Sequence, residues 1–147
     1  MRLDVTAAVR VARPPAEVAA YMTDPANDPE WIGGVREARL EGAPPIGVGS
    51  RVARVASFLG RRVEYVNEVA ALDAAHLDMR SVSGPFPMQI TYGFRADGDG
   101  AGTVVSNRVR GAARGFAFAG PLLPRLVRRS VQKDLERLRD VLERRPG

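Results

Sequence analysis

Residues 51–70 read RVARVASFLGRRVEYVNEVA, two runs of alternating apolar and polar side chains on either side of Gly60-Arg61. A period of two marks strands, and a two-residue link with glycine first suits a type II′ hairpin. With Gly60-Arg61 as the loop, Leu59 pairs with Arg62, Phe58 with Val63, Ala56 with Tyr65, Arg54 with Asn67, and Val52 with Val69. Directly opposed side chains share a face. One face therefore carries Val52, Arg54, Ala56, Phe58, Val63, Tyr65, Asn67 and Val69, and the other carries Arg51, Ala53, Val55, Ser57, Glu64, Val66 and Glu68. The first is the more apolar and is assigned inward; a one-residue slip would invert it.

Upstream of the hairpin, residues 3–12 alternate in the same way and predict a strand. Pro14-Pro15 ends it and opens a short helix over 15–22, since proline is tolerated in a first turn. Thr23-Asp24-Pro25 stops that helix, and Asn27 or Asp28 is placed to cap a second one carrying Pro29 and Trp31. Gly33-Gly34 releases the chain into a strand over 35–40, followed by a Gly/Pro-rich turn over 42–49. Downstream, strands are predicted over 76–82, 88–96 and 103–110, broken at 83–87 and 97–102. Residues 111–120, rich in Gly, Ala and Phe, are expected to be irregular. Leu123, Val127, Val131, Leu135, Leu138 and Leu142 then recur at helical spacing and mark one amphipathic helix over 122–144.

Consecutive strands with short links make an antiparallel sheet, and the helix must bury its stripe against one face of it. The predicted class is α+β: a seven-stranded curved antiparallel sheet wrapped around a long C-terminal helix, with two short helices between strands 1 and 2. The space between sheet and helix is a candidate ligand cavity.

The 147 residues suit a single domain, 1–147. Of the 22 basic side chains only Lys133 is not Arg, and eight basic against four acidic groups fall in 121–147. That skew argues against a nucleic-acid module with basic charge spread over its fold. The lack of Cys excludes disulfides, thiol catalysis and Cys-ligated metals. His76 stands alone, so no His-based metal site or catalytic pair is available, and alternation points it outward. Asp97-Gly98-Asp99-Gly100 lacks the later Glu of a calcium loop, and 42–49 lacks the ending of a phosphate loop. No apolar run reaches the ~18 residues of a membrane span. The start lacks a signal-peptide core, so a cytoplasmic location is expected.

Ala12-Arg13-Pro14-Pro15-Ala16-Glu17-Val18, Asp24-Pro25, Pro29-Glu30-Trp31, Val48-Gly49-Ser50-Arg51-Val52, Gly102-Thr103-Val104-Val105 and the run from Leu135 to Glu143 carry a resemblance across nearly the whole chain. It resembles the START-like (SRPBCC) helix-grip superfamily, in the branch of polyketide cyclases/dehydrases and lipid transport proteins. The resemblance implies a sheet gripping the terminal helix around a small hydrophobic ligand. Members include aromatase/cyclases and lipid or quinone carriers, and fold alone does not choose among them. The branch whose iron needs several His is excluded.

Alternation places Leu77, Met79, Ser81, Met88, Ile90, Tyr92, Phe94, Val105, Asn107 and Val109 inward as well. The candidate pocket is then Arg54, Tyr65, Asn67, Ser81, Tyr92 and Asn107 among apolar neighbours, with Trp31, Met79 and Met88 as walls. These polar groups have a structural use, satisfied by backbone or water, and a ligand-binding use. Arg54 could hold a carboxylate or enolate, with Asn67, Tyr65 or a ligand oxygen as its acceptor and Tyr65 as a hydrogen-bond donor. If its partner is the ligand, Arg54→Met weakens binding of an acidic or polyketone-like ligand and leaves folding stability nearly unchanged. Two functions stay open: a cofactor-free polyketide cyclase or dehydratase, and a lipid or quinone carrier or sensor. For the carrier, Phe116 and Phe118 beside the basic helix would touch a membrane transiently, although closing the cavity mouth or packing under the helix is favoured. No metal, cofactor or nucleic acid is expected, and the chain is expected to be a monomer or homodimer.

Overall fold

The computed structural model describes residues 2–58, 60–85, 87–112 and 121–146. Strand β1 (Arg2–Val11) is followed by helix α1 (Pro15–Met22), a single 3₁₀ turn (Pro25–Asn27) and helix α2 (Asp28–Trp31). Strands β2 (Val35–Glu41), β3 (Arg51–Phe58), β4 (Arg61–Leu72), β5 (His76–Ser83), β6 (Met88–Asp97) and β7 (Gly102–Ala112) precede helix α3 (Leu123–Arg144). The strands form one antiparallel sheet in the order β1-β7-β6-β5-β4-β3-β2. β2 through β7 pair in chain order, and β1 closes against β7. Register shifts between Val35 and Glu37 and at Val66/Asn67 and Val69/Ala71 insert bulges. Bulges bend and twist a strand, and here they wrap the sheet around α3.

The α3 stripe seals the core. Leu123, Val131, Leu135, Leu138 and Leu142 are buried against Leu3, Val5, Phe94 and Val105 of the sheet. α1 adds Val18, Tyr21 and Met22, and α2 adds Trp31, which meets Tyr92 edge-on at 5.6 Å between ring centroids. Seven strands, two short helices and a gripped terminal helix match the helix-grip architecture read from the sequence.

The hairpin register differs from that reading by two residues. Phe58 pairs with Arg61, so Arg54 lies opposite Tyr65 and Val52 opposite Asn67. Gly60, at φ +78°, is thus the second loop residue, not the first. A shift of two preserves the period, so the inward face is the expected one: Val52, Arg54, Asn67 and Val69 are buried.

Neither Asn27 nor Asp28 caps α2 with its side chain. The Asn27 amide donates to the Tyr21 carbonyl at 3.0 Å, and Asp28 turns inward. Gly111 and Ala112 are not irregular but complete β7 opposite Leu3 and Arg2. The rest of that predicted segment, including Phe116 and Phe118, lies outside the described residues.

Candidate functional site

Between the concave sheet and α3 lies a partly open cavity of ≈ 180 Å³. Its walls are apolar for the most part: Leu3, Val35, Ile90 and Val109 from the sheet, Ile32 ahead of β2, and Val127 and Val131 from α3. The polar minority is Arg54, Ser57, Tyr65, Tyr92, Asn107, Ser130 and Asp134. Strand alternation turns Arg54, Tyr65, Tyr92 and Asn107 to the concave side. Asp134 reaches it because it lies three residues beyond Val131 and four before Leu138, on the stripe itself.

Arg54 is the most constrained of these groups. Its Nε donates to Asp28 Oδ2 at 2.9 Å, and its Nη2 meets the same oxygen at 2.8 Å. The two side chains are 3% and 1% exposed, so this is a buried ion pair. Asp28 Oδ1 has no hydrogen-bond partner among the described residues. Burial raises the Asp28 carboxyl above the usual carboxylate range, with Arg54 opposing. Burial works against the charge of Arg54 too, but Tyr92, Asp28 and Tyr65 outweigh it and the guanidinium stays protonated. Tyr92 is held neutral by burial, above the usual phenol range, against the pull of Arg54. The acceptor of Arg54 is therefore Asp28, not Asn67.

Asp134 is the second buried carboxylate. Its Oδ1 accepts the Gly33 N–H at 2.9 Å and lies 3.5 Å from Arg137 Nη1, which also donates to the Trp31 carbonyl at 2.9 Å. Glycine at position 33 permits this approach, since a Cβ there would stand 3.1 Å from the carboxylate oxygen. Next to it Gly34, at φ +84°, brings the turn against β3, where Ser57 N–H donates to its carbonyl at 2.8 Å. Burial pushes Asp134 up to about 6, with the Gly33 N–H and Arg137 opposing. A carboxyl of that pKa exchanges its proton near neutral pH.

Of the residues singled out from sequence, Arg54, Tyr65, Tyr92, Asn107 and Met88 line the cavity. Asn67, Met79 and Trp31 are buried outside that lining, and the Asn67 Nδ2 and Trp31 Nε1 find no partner among the described residues. Ser81 is engaged elsewhere: its hydroxyl donates to the Met88 carbonyl at 2.9 Å and accepts the Met88 N–H at 2.6 Å. His76 is exposed beside Asp73. Asp28 and Asp134 escaped the sequence reading. For Asp134 the signal was present, a lone acid on an otherwise apolar stripe. For Asp28 it was masked by an ordinary helix-start pattern.

Among the described residues no group of three His, Cys, Asp or Glu side chains gathers to hold a metal, and no helix is long and apolar enough to cross a membrane.

A family model described as polyketide cyclase / dehydrase and lipid transport matches residues 2–143. No curated protein matches by sequence. Among solved structures, a START superfamily protein from Mycobacterium smegmatis superposes with a TM-score of 0.82 at 13% identity, covering 95% of this chain and 97% of its own. The Zhui aromatase/cyclase from a Streptomyces species gives 0.79 at 18% identity, over 99% and 96%. A Thermus thermophilus protein gives 0.77 at 21% identity, over 95% and 97%. At these identities the likeness is one of fold.

Proposed function

The chain belongs to the polyketide cyclase/dehydrase and lipid transport family, and on that premise we propose that it binds a hydrophobic or amphiphilic small molecule between sheet and α3. The observation that carries this reading is the cavity itself, apolar in its walls with a few fixed polar groups, as small-molecule sites are. Its volume of ≈ 180 Å³ is close to that of apolar cavities that take up a single aromatic ring, roughly 150 Å³. A longer ligand would extend through the open side.

Polyketide cyclisation or dehydration is the activity to assay first. In an aldol closure a proton leaves an α-carbon, and a C–C bond forms onto a carbonyl carbon whose oxygen takes up a proton to become a hydroxyl. Dehydration then removes a second α-proton together with that hydroxyl as water, leaving a C=C bond. Asp134 is suited to accept and return that proton, and Tyr65 and Asn107 to hold the carbonyls. The carrier reading draws on a different observation: Arg54 already spends its charge on Asp28, which leaves less for polarising a substrate.

Native mass spectrometry of the protein from its own host tests the binding proposal. The expected result is a mass excess of one small organic molecule, released on denaturation. Only the bare chain, with no uptake of added aromatic or acyl compounds, would overturn it. Incubation with a linear poly-β-ketone thioester divides the two uses: loss of water marks the cyclase or dehydratase, and recovery of unchanged compound the carrier.

A further inference from the structure

Charge around the cavity is unbalanced. Arg54 is the buried cation among the described residues, and its Nε and Nη2 both point to Asp28, with Tyr92 also close by. Asp134, 7% exposed, is a second buried carboxylate without a buried cation of its own. Arg137 approaches it at 3.5 Å but is 46% exposed, so water screens much of its charge. It also sits on Oδ1, the oxygen that takes the Gly33 N–H, while Oδ2 accepts no hydrogen bond among the described residues. On the same cavity, Asn107 is 7% exposed and its Oδ1 has no partner among the described residues. The wall therefore offers two acceptors that take no hydrogen bond among the described residues, one of them on a carboxylate whose ion-pair partner, Arg137, is half-exposed.

We propose that the cavity selects an uncharged ligand that donates a hydroxyl, a phenol or enol, to Asp134 Oδ2, and rejects carboxylates. This rests on the binding reading above and names the ligand class it would take. A carboxylate would set like charge against Asp134 in a poorly solvated space, and the buried cation among the described residues, Arg54, is already paired with Asp28. An uncharged hydroxyl satisfies Asp134 at no such cost, and a second hydroxyl or N–H on the same ligand would reach Asn107. The groups acting on Asp134 are the Gly33 N–H and Arg137 on its own helix; Arg54, Tyr65 and Tyr92 share the cavity lining with it, and Asp28 stands behind Arg54. Protonating Asp28 would also ease anion entry by freeing Arg54, so the variant at position 134 is needed to separate the two carboxyls.

The test is calorimetric titration of the full chain with 2-naphthol, 2-naphthoate and naphthalene. At about pH 7.5, naphthol should bind at least about tenfold more tightly than naphthoate, given the cost of like-charge juxtaposition. Near pH 5, where Asp134 is mostly protonated, the preference should shrink several-fold. Asp134→Asn, which keeps the Oδ1 acceptor for Gly33, should shrink it at the higher pH to about the level seen near pH 5 and remove most of its dependence on pH. Naphthoate binding as tightly as naphthol at the higher pH would overturn the charge assignment while leaving the cavity reading intact. A preference untouched by both acidification and Asp134→Asn would overturn the role of Asp134. Failure of all three probes, naphthalene included, would overturn the binding reading and this inference with it.

Discussion

At Arg54 two N–H groups converge on one oxygen of Asp28, and the other oxygen has no partner among the described residues. The pair is thus dry but incompletely satisfied, the geometry in which breaking it costs more than its net worth. From sequence alone Arg54→Met is nearly neutral for folding on the premise that its partner is the ligand, and lost stability would mark it as structural. With Asp28 as the acceptor the expectation reverses. Arg54→Met strands a carboxylate that is itself fully buried, and urea denaturation should register a loss of about 3–5 kcal/mol. Adding Asp28→Leu removes the stranded charge and should recover most of that loss. A single variant as stable as the parent would mean that Asp28 is protonated in the folded state and the pair is not ionic. Local rules could not supply this contact. Asp28 before Pro29 satisfies every preference for a helix start, and its true partner lies 26 residues away.

Among the elements, α3 and the β3–β4 hairpin show what a periodic signal does and does not determine. The α3 stripe was legible because one helix face must be apolar along its whole length. Leu135 is fully buried there, so Leu135→Ala should cost about 2–5 kcal/mol in chemical denaturation. A loss under about 0.5 kcal/mol is the range of surface substitutions and would place it outside the core. The hairpin was legible only in part. Alternation assigned Arg54, Asn67 and Tyr65 to their face, and a slip of two leaves faces unchanged, so the face survived while the partners did not. The loop closes at Phe58–Arg61. Turn chemistry located Gly60 but could not say which of the two loop positions it fills. The bulges at Val66/Asn67 and Val69/Ala71 were likewise invisible, because an inserted residue leaves no mark on a short alternation. The cavity's polar groups divide along the same line: Arg54, Tyr65, Tyr92 and Asn107 were legible from parity, Ser57 was assigned outward by it yet lines the cavity, and Asp134 was legible only as a lone acid on the apolar stripe of a helix rich in Arg.

For the molecule as a whole, net charge and buried carboxylates pull the pH dependence of stability in opposite directions. The chain carries a formal +5 at neutral pH, and acidification adds positive charge that repels itself. Asp4 and Asp73 act in the same sense. Their carboxyls are lowered, by Arg108 and by the Ala75 and His76 N–H groups respectively, so the stability they contribute is present at neutral pH and lost in acid. Asp134 acts the other way. Its pKa rises from 3.8 to about 6 on folding. Between those values the folded chain holds a proton that the unfolded chain has released, so its contribution falls as pH rises and stays unfavourable above it. Asp28, also raised by burial, shares that sign. A raw stability curve mixes all of these, but subtracting the parent from Asp134→Asn removes every term that the two proteins share. The difference should be near zero at about pH 4 and grow through about pH 6, with the variant about 1–3 kcal/mol more stable on the plateau above. Urea titrations at matched pH values read it directly. A variant less stable than the parent at neutral pH would show Asp134 to be ionised and well satisfied by Gly33 and Arg137. A stabilising difference would show the unliganded fold carrying an unmet carboxylate at its cavity, a deficit that a ligand hydroxyl is suited to offset.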